Sequence, residues 1–94
     1  MKSEKFYFRN PEIVYADLSG DTCLFDPLKA EYLNLNETAS EIWKLLDKSK
    51  SLDEIITCVN FIYKVDFNIC RDEIITFLTK AVEFDIIRER PYIK

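Results

Sequence analysis

The chain has 94 residues, of which 48% are hydrophobic and 32% are charged, a composition that suits one small domain with a packed apolar core. Its formal net charge of −4 is opposite in sign to the balance usual in proteins that bind nucleic acids or anionic membrane surfaces. Histidine is absent, which excludes Ser-His-Asp and Cys-His catalysis and removes the commonest protein ligand of zinc, iron and copper.

The N-terminal part of the chain has the pattern of a small antiparallel sheet. Residues 6–9 are a short, weakly patterned strand, and residues 12–18 are the next strand. Residues 22–25 are predicted to return antiparallel to it, because Ser19-Gly20-Asp21 contains the only glycine of the chain. Glycine adopts the positive φ that a tight hairpin turn requires.

A second turn and a third strand follow. Asp26-Pro27-Leu28-Lys29 predicts a turn, because proline presets φ at its second position and the Asp26 side chain can bond the backbone ahead of it. Residues 30–35 alternate as a strand does, with Leu33 and Leu35 on one face.

Three helices are predicted after this sheet. The first begins at the N-cap Asn36, the second at a capping box formed by Ser51-Leu52-Asp53-Glu54, and the third, capped by Asn68, spans residues 69–84. Residues 86–87 then form a short closing strand. The apolar stripes expected in the core are Ala39, Ile42, Trp43 and Leu46; Leu52, Ile55, Ile56, Val59 and Ile62; and Cys70, Ile74, Phe77, Leu78 and Ala81.

This order of elements predicts an α+β fold: a small N-terminal antiparallel three-stranded sheet followed by three helices. The last two helices, joined by residues 63–67, resemble a helix-turn-helix pair with a β wing upstream, a winged helix-turn-helix. We expect one domain over residues 1–94, with its core at about residues 12–89.

The three cysteines, Cys23, Cys58 and Cys70, are scattered and include no C-x-x-C pair. Without an export signal at the N-terminus, this predicts free thiols in a reducing cytoplasm. A three-thiolate metal site is the alternative to three small, half-buried apolar residues, and we favour the apolar interpretation. The sequence also lacks a glycine-rich phosphate loop and metal-ligand spacing, so we predict neither an enzyme nor a cofactor.

Apolar surface is the informative feature of the third helix. Ile75 and Val82 lie beside its core stripe, with Leu78 between them. Burial of the helix on both flanks would explain them. The functional interpretation is a groove between this side of the helix and the strand at residues 30–35. If that strand lies at the sheet edge, an extended peptide can pair with it while its side chains enter the groove.

The sequence resembles the PqqD-like family over about residues 12–89. The resemblance rests on order and spacing and is most specific at the strand-to-helix junction Leu33–Trp43. The later portion, Ser51–Ile87, is similar to the second half of the family pattern. The segments that carry the junction are Cys23-Leu24-Phe25-Asp26, Tyr32-Leu33-Asn34-Leu35-Asn36-Glu37-Thr38-Ala39 and Ile42-Trp43.

The resemblance implies a RiPP recognition element, a winged helix-turn-helix domain that binds the leader of a ribosomally made precursor peptide and performs no chemistry. The leader adds as a strand beside the third β-strand, and the precursor is delivered to a radical-SAM enzyme or, in lasso-peptide systems, to a leader peptidase. The chain ends at Lys94 without a linker, as a stand-alone member would. Lys48-Ser49-Lys50 replaces a glycine often found after the first helix.

Carried over position by position, the resemblance assigns peptide binding to eight residues. Arg71 is expected to pair with an acidic leader residue. The set comprises Glu31, Tyr32, Leu33 and Asn34 on the strand and Arg71, Ile75, Leu78 and Val82 on the helix.

Two rival functions stay open at this point. One is a nucleic-acid-binding winged helix, which the acidic surface of the third helix disfavours. The other is a structural subunit that docks helix to helix, with Ile75 and Val82 as a partner interface or the seam of a homodimer.

Overall fold

The structure, a computed structural model, describes residues 5–18, 21–64 and 66–91, apart from the side chain of Phe67. The strands in this part of the chain are β1 (Lys5–Arg9), β2 (Val14–Leu18), β3 (Asp21–Asp26), β4 (Glu31–Leu35), β5 (Lys50–Ser51) and β6 (Ile87–Pro91). The helices are α1 (Glu37–Leu45), α2 (Leu52–Tyr63) and α3 (Phe67–Glu83). The predicted α+β class and the order of sheet before helices are confirmed.

The predicted N-terminal sheet is the antiparallel sheet β2-β3-β4. Leu24 pairs with Tyr15 on one side and with Leu33 on the other, so these three residues share one face. The predicted turn at Asp26 is present, because its Oδ1 accepts hydrogen bonds from the backbone N–H of Leu28 (3.0 Å) and of Lys29 (3.3 Å). The predicted turn at Gly20 lies outside the described residues.

A second antiparallel sheet, ordered β5-β1-β6, was not predicted. β1 is the strand expected at residues 6–9, and β6 is the expected closing strand. Their pairing sets Lys5 opposite Pro91 and Arg9 opposite Ile87. Strands so distant in sequence leave no local signal of their pairing, and β5 has only two residues.

The helix caps follow from side-chain hydrogen bonds to free backbone N–H groups. The Asn36 side chain accepts from the backbone N–H of Ala39 at 2.8 Å, as predicted. The predicted capping box of Ser51 and Glu54 is also present. The prediction that Asn68 caps α3 is wrong: Asp66 is the cap, and its Oδ1 accepts from the N–H of Asn68 (2.9 Å) and of Ile69 (3.3 Å).

One hydrophobic core lies between the helices and the two sheets, and most of the predicted stripes are buried in it. Ile62 is the exception, with 47% of its surface exposed, so its predicted core position is wrong. In the last turn of α2, Tyr63 packs against the core in its place, because it is closer to the helix face that bears Ile56 and Val59. Leu52 and Phe77 are half-buried at the margin of the core.

Candidate functional site at the edge of β4

The outer edge of β4 has no strand partner among the described residues, since β4 pairs only with β3. The strand contains neither proline nor lysine, which often protect such edges. All four predicted strand residues are exposed, and Tyr32 has 74% of its surface accessible. The centre of the Tyr32 ring lies 4.7 Å from that of the Phe25 ring of β3, with the two rings tilted by 41°. This contact holds the Tyr32 ring on the outer face of the sheet.

A cavity of about 400 Å³ opens beside the N-terminal half of β4. Its apolar lining includes Leu33 of β4 and Phe84, the residue that ends α3, above the buried side chains of Ile13, Leu24 and Ile86. We call it the Phe84 cavity. The polar residues that line it are Asp26, Lys29, Glu31 and Tyr32.

Lys29 links the turn before β4 to the end of α3. Its Nζ donates a hydrogen bond of 3.1 Å to the backbone carbonyl of Phe84. A cation is favourable there, because the last carbonyls of a helix carry its negative dipole end. The contact holds the two sides of the Phe84 cavity together at one end.

A second recess, of about 570 Å³, lies at the other end of β4. On one side are residues around the start of α1, including Asn36; on the other side are Glu73, Thr76 and Phe77 of α3. The early turns of α3 therefore lie near the end of β4 and its last residues near the start of β4, so the two elements run antiparallel. We call the space between them the β4–α3 groove.

The lengths of the two walls agree. From Glu73 to Phe84 the helix advances about 16 Å, at 1.5 Å per residue. The five residues of β4 span about the same distance, at roughly 3.3 Å per residue. A groove of this length accommodates an extended segment of about five residues.

The structure does not place the predicted helix wall beside β4. Leu78 is only 2% exposed, and with Val82 it lines a separate cavity of about 180 Å³ that also contains Tyr7 of β1 and Glu89 of β6. Neither recess next to β4 includes these two side chains, and their role in peptide binding stays a prediction. Arg71 is exposed and Ile75 is half-buried.

Helix geometry explains the difference. At about 100° per residue, Arg71, Ile75, Leu78 and Val82 share one side of α3, and Glu73, Thr76, Phe77 and Phe84 lie roughly 160° away from them. The core stripe separates these two flanks. The sequence prediction used the more apolar flank of α3, which bears Ile75 and Val82. The recess at the end of β4 is lined by the more polar flank, which bears Glu73 and Thr76. The exposed Phe84 directly after the helix was the available signal of the other flank.

The groove has acidic side chains at one end and a buried thiol behind its wall. Asp72 and Glu73 take part in no ion pair within the described part of the chain. Burial, with a smaller contribution from the charge of Glu73, raises the pKa of Cys70 above its usual value. The Cys70 thiol therefore stays protonated and contributes packing rather than a nucleophile.

Two further features of the described residues bear on chemistry and location. No group of three or more Cys, Asp and Glu side chains is arranged there to hold a metal ion. Nor does any helix in those residues combine the length and apolarity needed to cross a membrane. The groove consists of a strand edge, an apolar cavity and a polar recess.

Similarity to known proteins agrees with this architecture. A solved structure described as TbiB1 in complex with the TbiA(beta) leader peptide is 22% identical, with a TM-score of 0.78 over 85% of this chain and 93% of that chain. Another, lasso peptide synthetase B1 complexed with the leader peptide, is 27% identical, with a TM-score of 0.73 over 86% of this chain and 95% of that one. Among curated proteins, none matches the chain.

The family comparison covers most of the fold. The family model described as coenzyme PQQ synthesis protein D (PqqD) matches residues 21–87, which include the β4 edge and all three helices. The match spans more than half of the chain and contains both walls of the groove. The chain therefore belongs to the PqqD family.

Proposed function

We propose that this protein binds the leader region of a ribosomally synthesised precursor peptide by strand addition to β4. The observation that carries the proposal is the unpaired outer edge of β4, which has the Phe84 cavity beside its first residues and the recess between α1 and α3 beyond its last residue. Support comes from the two similar solved structures, whose descriptions both name a leader peptide as the bound partner.

Strand addition divides recognition into two parts. Main-chain hydrogen bonds along Glu31–Leu35 supply affinity that does not depend on the leader sequence. Selection comes from leader side chains on the face of the sheet that bears Leu33, which enter the Phe84 cavity. Side chains on one face of a strand repeat about every 7 Å, so anchors are expected two or four residues apart.

In this proposal the protein contributes binding alone, and a separate enzyme modifies the captured precursor. That enzyme is a radical-SAM maturase or a leader peptidase, and the complex forms in the cytoplasm. Capture raises the local concentration of the precursor at the enzyme. The free state of all three cysteines agrees with a reducing compartment.

The test uses fluorescently labelled leader segments of short peptides encoded beside the gene, titrated with the protein. Phe84→Asp places a charge at the mouth of the Phe84 cavity, and affinity is expected to fall at least tenfold, or about 1.4 kcal/mol. Phe61→Asp is the matched control, because Phe61 is 77% exposed and lies on α2. Equal affinities for the two folded variants would refute the placement of the site.

A second pair of variants decides which flank of α3 contacts the leader. Thr76→Asp alters the recess at the end of β4, and Ile75→Asp alters the opposite flank, where peptide contacts were predicted from the sequence. We expect only Thr76→Asp to weaken leader binding. The reverse result would restore the flank of Arg71, Ile75 and Val82 as the binding wall.

A further inference from the structure

β2 forms the opposite edge of the β2-β3-β4 sheet, and it is open as well. No strand pairs with its outer side among the described residues, and all five of its side chains are exposed. The strand contains no lysine, proline or bulge of the kind that protects an edge from pairing with another chain. Neither recess of the β4–α3 groove contains a residue of β2.

The outer face of β2 is entirely apolar. Val14, Ala16 and Leu18 alternate onto it, and Val14 and Leu18 are 58% and 61% exposed. Phe25 of β3 pairs with Val14, and Tyr32 of β4 pairs with Phe25, so the apolar surface continues across the sheet. Exposed apolar surface next to an open edge favours a partner that extends the sheet.

The sequence of β2 is complementary to itself. In an antiparallel pairing of two copies centred on Ala16, Val14 of one copy stands opposite Leu18 of the other, and Ala16 stands opposite its own equivalent. Each copy then contributes to three apolar cross-strand pairs on the outer face. Because the two copies are equivalent, this contact is isologous and closes at two chains.

Two other registers, each shifted by two residues, also keep Val14, Ala16 and Leu18 on the outer face of the combined sheet, but both are less favourable. A shift in one direction sets Asp17 opposite Asp17 of the second copy, and like charges directly opposite each other are destabilising. A shift in the other direction sets Leu18 opposite Glu12. The register centred on Ala16 avoids both.

The inner face of the strand adds charge complementarity. The guanidinium carbon of Arg9 lies 5.0 Å from the centre of the Tyr15 ring and 4.9 Å from that of Trp43, and Arg9 Nε donates to the Trp43 carbonyl at 2.8 Å. In the register centred on Ala16, Tyr15 stands opposite Asp17 of the second copy. Arg9 is therefore placed near that carboxylate, and symmetry gives two such pairs.

We propose that the protein forms a two-fold symmetric dimer in which β2 of one copy pairs antiparallel with β2 of the other. The two sheets become one continuous sheet with β4 at each end. Both β4–α3 grooves stay open in this dimer. The proposal does not depend on what those grooves bind.

Sedimentation velocity of the full chain over a range of concentrations measures this association. Val14→Glu and Leu18→Lys each set a charge opposite an apolar side chain, and each is expected to raise the dimer dissociation constant at least tenfold. When the two variants are mixed, the introduced glutamate stands opposite the introduced lysine at one end of the β2–β2 contact. At the other end Leu18 stands opposite Val14, as in the unaltered chain. Mixed dimers are therefore expected to form. The double variant Val14→Glu/Leu18→Lys is likewise expected to dimerise alone.

The controls separate this seam from other surfaces. Phe61→Glu alters an exposed apolar side chain on α2, and Val82→Glu alters the α3 flank considered above as a helix seam; both variants are expected to dimerise like the unaltered chain. A monomer at every concentration would overturn the proposal. So would dimers that survive both β2 variants, or dimers lost in Val82→Glu alone. The measurement contains no leader peptide, so its result does not depend on what β4 binds.

Discussion

The three cysteine side chains differ in their burial, and burial determines how each thiol reacts. Cys70 is 3% exposed within the core, whereas Cys23 and Cys58 are half-buried. The interpretation of the cysteines as small apolar residues fits Cys70 best. Its raised pKa lowers the fraction of thiolate, which is the form that reacts with alkylating agents.

We therefore expect iodoacetamide to modify Cys58 and Cys23 in the folded protein before it modifies Cys70. Peptide mapping by mass spectrometry over a time course measures the three rates. In denaturant the three rates are expected to converge, because Cys70 loses both its burial and the rise in pKa that burial causes. Labelling of folded Cys70 at the rate of Cys58 would contradict its place in the core.

The caps of two of the three helices were predicted correctly from the local sequence, and the cap of α3 was not. Asn36 and Ser51 were identified correctly as caps, because Asn36 lies between a predicted strand and an apolar helical pattern, and Ser51 is followed three residues later by Glu54, which completes a capping box. Asp66 and Asn68 are both good cap residues two positions apart, and the pattern alone did not decide between them. The structure assigns the bonds to Asp66, with Asn68 inside the helix as a donor.

This assignment predicts different effects for two alanine substitutions. Asp66→Ala removes the acceptor of two backbone N–H groups and is expected to lower the free energy of unfolding by about 1 kcal/mol. Asn68→Ala keeps those bonds and replaces a poor helix former with a good one, so it is expected to be neutral or slightly stabilising. Urea unfolding followed by circular dichroism compares them. A larger loss for Asn68→Ala would return the cap to that residue.

The arrangement of whole elements was only partly accessible from the sequence. Alternation along β3 and β4 and the helical stripes gave the β2-β3-β4 sheet and most of the core, since both signals are local. The β5-β1-β6 sheet was missed, because its strands meet only after the chain has folded. The open edge of β4 was inferred correctly. The flank of α3 that faces it depends on how the helix rolls on the core, which neither apolarity nor spacing along α3 determines.

Binding across the whole molecule is expected to leave a defined pattern in the backbone amides. Addition of a binding leader segment should shift the amide resonances of β4 and of the groove side of α3, around Glu73, Thr76 and Phe84, because strand addition changes their hydrogen bonds and surroundings. A two-dimensional ¹H–¹⁵N spectrum recorded during the titration measures this. Changes confined to β1, β6 and the Val82 side of α3 would contradict the proposed groove.

The pairing of β1 with β6 sets Lys5 directly opposite Pro91. Residues directly opposite each other in an antiparallel pair have Cα atoms about 5 Å apart, so a short linker can join Lys5 to Pro91. A circular permutant joined there and opened between α1 and β5, at residues 47–48, is expected to fold and to keep both edges of the β2-β3-β4 sheet. Every covalent connection of that sheet and of its link to α1 is retained in such a rearranged chain.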